Sequence, residues 1–292
     1  MSFFRTLTPQ EWAVPGYIIL MIVERISFRL MPDPAQRGYT LKDSTTSISM
    51  GAGSLVWDFA LGLATGLVTA WASHVSPWHL DAGNWVVWLS VFLGWDFCYY
   101  WSHRASHEIR ILWAAHVVHH SSQYFNLSTA LRQSWTGEST FMFYLPLAFF
   151  GADLKLIATV GGVNLIYQFW IHTERIRKLP RPVEFVMNTP SHHRVHHATN
   201  PQYLDRNYAG ILILWDRIFG TFEPEVEAPR YGLTTNIETY NPLWVAFHEY
   251  IAIGRDLRFS RTWSERLGYV FRHPGWRPAT SGSPITQVAA AS

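Results

Sequence analysis

Nine of the fourteen histidines in this 292-residue chain fall in two short stretches, HRASHEIRILWAAHVVHH at 103–120 and SHHRVHH at 191–197. Imidazole at such density is raw material for a site holding iron, zinc or copper. On a helix His103 and His107 stand one turn apart, and His116, His119 and His120 share a face. His193, His196 and His197 repeat the HxxHH spacing, with Asn188, Thr189 and Pro190 marking a helix start. His192 would pair with His196 while His193 pairs with His197, so the four cannot all face one ion. We read His193, His196 and His197 as ligands and His192 as a group that touches a ligand. Eight or nine imidazoles are too many for one ion, so the pattern predicts two. A four-helix di-iron bundle would supply Glu-x-x-His pairs, and the sequence has none.

Three further positions belong to the same chemistry. Asn164, Gln168 and His172 are spaced by four, a polar stripe on an apolar helix that should face the interior, with His172 as a further ligand. Asp96 lies seven residues before His103, within about 40° of His103 and His107 on a helix. A carboxylate at that depth is costly, which suggests that it orients His103. A hydrogen bond to a neighbouring helix is the competing reading.

These groups must be brought together by the elements that carry them. On one straight helix His116 would point about 220° away from His103. The helix must therefore bend or restart between Glu108 and His116. The apolar runs at 14–23, 49–73 and 85–101, and those at 140–150 and 154–171, supply the frame. The second and third read as one transmembrane hairpin and the last two as another, spanning about 139–151 and 154–172. The first limb of that second hairpin rises only about 18 Å and is expected to be tilted or partly spanning. The run at 14–23 is either a spanning helix or an interfacial anchor. Arg25, Arg29, Arg37 and Lys42, then Arg104 and Arg110, then Arg175, Arg177, Lys178 and Arg181 follow runs on one side, whereas 74–84 has no Lys or Arg. By the positive-inside rule both histidine stretches are cytoplasmic.

Composition agrees. Charged residues make up 15% against about a quarter in soluble domains, while aromatics reach 16%. A net charge of +2, with scattered arginines, excludes a nucleic-acid partner. One cysteine, Cys98, excludes internal disulfides and a thiolate cluster. The first residues lack the pattern of a cleaved signal peptide. The expected architecture is all-α: a multi-pass helical membrane protein with two transmembrane hairpins and a cytoplasmic helical cap that carries a dinuclear histidine site. Residues 1–48 read as anchor and linker, 49–279 as the membrane domain and 280–292 as a disordered tail. The basic, aromatic segment 254–278 suits either a helix on the anionic inner surface or a solvated helix.

HxxxH, HxxHH and a distal HxxHH on such a frame resemble the sterol desaturase and fatty acid hydroxylase superfamily of membrane di-iron oxygenases, and most closely its alkylglycerol-oxidising branch. The resemblance is carried by YWSHRASHEIRILWAAHVVHHSSQYFNLSTALRQS, IYQFWIHTE, NTPSHHRVHHATNPQYLDRNYAGILILWDRIFGTFEPE and YGLTTNIETYNPLWVAFH, which cover most of 95–248. It implies two Fe ions bound by His103, His107, His116, His119, His120, His193, His196 and His197, with His172 as a further ligand. Glu108 matches an acid of the motif and is expected to act beside a ligand. Some members place another histidine where Gln168 stands, so this chain departs from the pattern there. The implied reaction is O2-dependent hydroxylation of a lipid C–H bond, in the narrowest reading the ether-linked carbon of an alkylglycerol. Its electron donor would be tetrahydrobiopterin or a redox protein, and no stretch declares a pterin site. The host membrane would be the endoplasmic reticulum in a eukaryote or the inner membrane in a bacterium. Sterol or fatty-acyl hydroxylation and desaturation use the same scaffold. A histidine-rich metal transporter or a structural zinc protein are the non-enzymatic alternatives.

Overall fold

The computed structural model describes residues 9–278, so the expected tail at 280–292 lies outside the described residues. The described chain is helical, with two isolated antiparallel bridges, Met187 with Leu212 and Ala198 with Tyr231, and no longer strand.

Helix α1 (Pro9–Leu30) is longer than its apolar run. It leans on a later helix by stacking Tyr17 on Phe169 at 4.1 Å, and leaves Ile18, Ile22 and Ile26 exposed. Helix α2 (Leu41–Val75) has 35 residues and so a length of about 52 Å. Its first turns bury Asp43, Thr46 and Ser47, whereas Leu55, Val56, Phe59, Leu63 and Leu67 are exposed. Among the described helices it alone is both long and apolar enough to cross a membrane. Helix α3 (Trp85–Glu108) starts where the Asn84 side chain accepts from the Val86 N–H, and α4 (Arg110–His120) follows almost at once.

The expected first limb of the second hairpin is not a spanning helix. Residues 137–143 form a 3-10 segment, and Pro146 then opens α5 (Leu145–Phe149), only five residues long. Gly151 stops it at φ +93°, where a Cβ would lie 2.4 Å from the Trp78 carbonyl oxygen. The Gly151 carbonyl accepts from Leu80 N–H at 2.9 Å, and Ser73 and Ser76 donate to the carbonyls of Ala152 and Phe149, each at 2.8 Å. The segment therefore closes the far end of the α2–α3 pair. An apolar run reports burial of either kind, and length alone did not separate them.

Helix α6 (Leu154–Trp170), capped by Asp153, completes the frame. Its Leu156, Ile157 and Val160 pack with Ala72, Val91, Trp95 and Ala148. Five further helices follow: the short α7 (Arg181–Val186), α8 (Pro190–His196) and α9 (Leu214–Phe219), then the longer α10 (Pro242–Phe259) and α11 (Trp263–Phe271). The basic, aromatic segment is thus split into two helices, with the side chain of Thr262 capping the second.

Candidate metal centre

The restart that the histidine spacing requires is at Ile109, the one extended residue (φ −116°, ψ 115°) between α3 and α4. Arg110 fixes the fold-back. Its guanidinium donates to Glu249 and Asp256 of α10, each at 2.7 Å, and its N–H donates to the Arg272 carbonyl at 3.1 Å. Helix α4 then runs back over the end of α3, and the Nε2 atoms of His103 and His116 come to 2.9 Å.

The other ligand candidates arrive from α6 and α8. His172 follows the last turn of α6, and α8 begins at Pro190 after Thr189, where the sequence places a helix start. Arg194 ties these two pieces together. It grips Glu225 through two nitrogens at 2.7 and 2.8 Å and donates to the carbonyls of Thr173 and Ile176 at 3.0 and 2.6 Å.

Nine imidazoles so placed divide into two groups. His103, His107, His116, His120 and His196 form one, and His119, His172, His193 and His197 the other; within each, one ligand atom per residue lies within 4.8 Å of all the rest. The Nε2 atoms of His116 and His120 are 3.0 Å apart, those of His119 and His172 3.1 Å, His172 and His193 2.9 Å, and His193 and His197 3.2 Å. An ion with bonds of about 2.1 Å to nitrogen sets neighbouring ligands at right angles about 3.0 Å apart.

Proton positions point the same way. A carbonyl oxygen only accepts, so the Nδ1–H groups of His103, His172 and His196 donate to Tyr208, Gln168 and Arg206 at 2.7, 2.7 and 3.0 Å. That leaves each Nε2 with a lone pair facing inward, the usual arrangement of a metal-binding histidine. Both ring nitrogens of His107 and Nε2 of His196 are buried without a hydrogen-bond partner among the described residues. Such orphaned atoms are costly unless something binds them. Burial, and to a smaller extent neighbouring imidazoles, pushes the proton affinities of His107, His120, His193, His196 and His197 well below the ordinary histidine value, and burial takes His103 to about 4. Neutral rings with inward lone pairs fit metal ions.

Aromatic rings roof both groups. Trp113 lies 5.2 Å from His107 and 5.8 Å from His120, while Phe125 lies 5.1 Å from His197 and 5.7 Å from His172. His116 and His119 keep some exposure, one in each group, on the same helix.

The remaining sequence candidates lie outside the two groups. Asp96 is fully buried but does not bond to His103. Its oxygens accept from Ile211 N–H, Leu212 N–H, Trp215 Nε1 and Asn164 Nδ2 at 2.8 to 3.0 Å. His103 is oriented instead by donating its Nδ1–H to the Tyr208 carbonyl, so Asp96 holds the loop and not the ring. Gln168 accepts from Tyr99 at 2.7 Å and donates to Asn164, and only its backbone carbonyl meets His172. His192 turns to Glu184 at 3.0 Å, and Glu108 pairs with Arg104 at 2.8 Å on a partly exposed face.

Sequence reasoning missed Asp216 and Glu184. Asp216 accepts from the N–H groups of Tyr208 and Ala209 at 2.8 Å and from Thr221 at 2.6 Å, and so holds the carbonyl that orients His103; burial raises its carboxyl to about 6. Glu184 accepts from Leu179 N–H, Thr189, Ser191 and His192 and secures the start of α8. Burial would raise it, but hydrogen bonds from His192, Ser191 and Leu179 prevail and lower it to about 2. Neither residue sits at a helical spacing from a histidine. The left-handed φ of Asp205 (58°) and Asn207 (59°), with Asn207 donating to the His192 carbonyl at 3.1 Å, shows a tightly held loop between α8 and Asp216.

Comparison with known proteins adds ancestry to this geometry. Residues 88–221 match the model of the fatty acid hydroxylase family. Alkylglycerol monooxygenase of Homo sapiens is 44% identical over 91% of this chain and 59% of its own length. The Danio rerio protein of that name is 50% identical over 69% of this chain and 44% of its own length. Ornithine lipid hydroxylase of Rhizobium tropici is 25% identical over 80% of this chain and 74% of its own. The chain spans about six-tenths of the length of the human relative it matches. No solved structure matches it.

Proposed function

Since this chain carries a fatty acid hydroxylase domain over residues 88–221, we propose that it is a membrane lipid monooxygenase working through two irons. His103, His107, His116, His120 and His196 would hold one, and His119, His172, His193 and His197 the other. The observation that carries this reading is the pair of buried imidazole groups with inward lone pairs. Relatives named alkylglycerol monooxygenase, at 35% to 50% identity, favour an ether lipid over a sterol or fatty acyl chain.

The irons would supply reductive activation of O2. One oxygen atom enters a C–H bond of the lipid, and the other leaves as water with two electrons and two protons from a donor, tetrahydrobiopterin or a redox protein. Hydroxylation beside an ether oxygen gives a hemiacetal, which falls to an aldehyde and glycerol. The chain's own part is positional. Tyr208, Gln168 and Arg206 keep three rings in the metal-binding tautomer, and Trp113 and Phe125 exclude water from behind. The residual exposure of His116 and His119 marks the side from which a lipid reaches both groups.

In this reading α2 crosses the membrane and α3, long enough at 24 residues though less apolar than α2, returns beside it as a hairpin; α6 enters from the same side, and the α4, α8 and α10 region forms a cytoplasmic cap. The outward apolar faces of α1 and α2, the arginines at the histidine end and the length of α2 support it. The test is iron analysis of anaerobically purified protein, joined to product analysis with alkylglycerols, sterols and fatty acids, with and without tetrahydrobiopterin. Fatty aldehyde from alkylglycerol alone is the expected product. Zinc without iron, or no O2 consumption with any lipid, would refute the proposal.

A further inference from the structure

A cavity of about 260 Å³ opens where α1 gives way to the connection at 31–40. Its wall carries Arg25, Arg29 and Arg37 together with Phe28, Asp33 and Tyr39. Arg25 and Arg29 are one turn apart and exposed, and among the described residues neither is paired with a carboxylate, unlike Arg110, Arg132 and Arg194. The single acid, Asp33, is already engaged by the Ala35 N–H at 3.0 Å and by Arg177 at 3.7 Å. A fourth guanidinium, that of Arg175, stands 4.8 Å over the Phe28 ring and donates to Gln36 at 2.8 Å. The cavity is therefore a positive pocket with unused hydrogen-bond donors.

What lies beside it is apolar. Ile18, Ile22 and Ile26 form an exposed stripe at i, i+4, i+8 on α1, and Arg25 and Arg29 each stand three residues beyond one of them. A lipid whose acyl chains follow that stripe brings its headgroup to the two arginines. Guanidinium groups bind phosphate through paired N–H donors. We propose that this cavity is a headgroup site for the phosphate of a membrane phospholipid, with Arg25 and Arg29 as its clamps. The inference rests on the reading of α1 as a helix lying against lipid. It also links lipid to the metal stretch, because Arg37 donates to the carbonyl of Gln123 at 3.1 Å, just beyond His120.

The test uses the full chain in a neutral detergent, with native mass spectrometry and lipid titration. Phosphatidylglycerol and phosphatidylcholine should bind and diacylglycerol should not. R25Q/R29Q should weaken phospholipid binding about tenfold, whereas R25K/R29K, which keeps the charge, should weaken it less. Equal retention of diacylglycerol and phosphatidylglycerol would overturn the proposal, as would wild-type affinity in R25Q/R29Q. Inorganic phosphate binding as tightly as the lipids would assign the pocket to a soluble anion and overturn the lipid assignment. Iron measured in the same samples should be unchanged by these variants. A wild-type sample without iron but with phospholipid selectivity would count against the metal reading alone.

Discussion

The Nε2 atoms of His103 and His116 face each other at 2.9 Å across the break at Ile109, and the next histidine along α4, His119, belongs to a different group. Two residues less than one turn apart thus fall in different groups, and under the proposed function they would serve different ions. H116A and H119A should each lower bound iron from about two per chain to about one. Metal analysis of the two variants, with the double variant alongside, checks this; a single variant that still holds two irons would remove its residue from the set.

Asp216 acts on His103 through the loop at Tyr208. In D216N an amide replaces one accepting oxygen and meets a backbone N–H with a donor. The expected cost is about 2 kcal/mol, typical of hydrogen bonds to a charged group. Denaturation in detergent measures it. Iron loss should follow at the five-histidine group ahead of the other, and full retention of both iron and stability would show that Asp216 is dispensable.

Glu184 sets an acid limit. Its carboxyl titrates at about 2 in the folded chain against an ordinary value of 4.5. A depressed acid contributes stability above the unfolded value and loses it as pH falls from about 4.5 towards 2. Wild type should therefore lose melting temperature over that window more steeply than E184Q. Parallel curves for the two proteins would contradict the assignment.

Gly210 sits where the loop meets the buried Asp96. An added Cβ would lie 2.9 Å from Asp96 Oδ1, 2.9 Å from the Tyr99 ring and 3.0 Å from Asn164 Nδ2. G210A should destabilise by about 1–3 kcal/mol, the range for overpacking a filled interior. A G210A protein as stable as wild type would mean that the network yields freely.

Some of this was legible in the sequence and some was not, for physical reasons. Histidine spacing reports one helical face, so the restart near Ile109 and the helix start at Pro190 could be derived from angles alone. The allocation of His119 and His120 to different groups could not, because it depends on where α6 and α8 arrive. Of the two readings open for Asp96, the orienting of His103 is not what the structure shows, whereas the hydrogen bond to a neighbouring helix is, through Asn164 of α6. Sharing a face says nothing of the two turns of helix between the residues, nor of the Ile211–Trp215 backbone that reaches the carboxylate first. The segment 139–151 forms no spanning helix because Pro146 and Gly151 bound a helix of only five residues, and it closes the far end of the α2–α3 pair with Met142, Phe149 and Phe150 still exposed.

The two histidine groups also differ in their place along the chain. Four of the five members of the first lie between His103 and His120, whereas three of the four members of the second, His172, His193 and His197, come from beyond that stretch. Closing the first group costs little loop entropy, and the second must wait for distant segments. Under the proposed function, a first ion would have four of its ligands during synthesis well before α8 is made, and a second would load only after synthesis had passed His197.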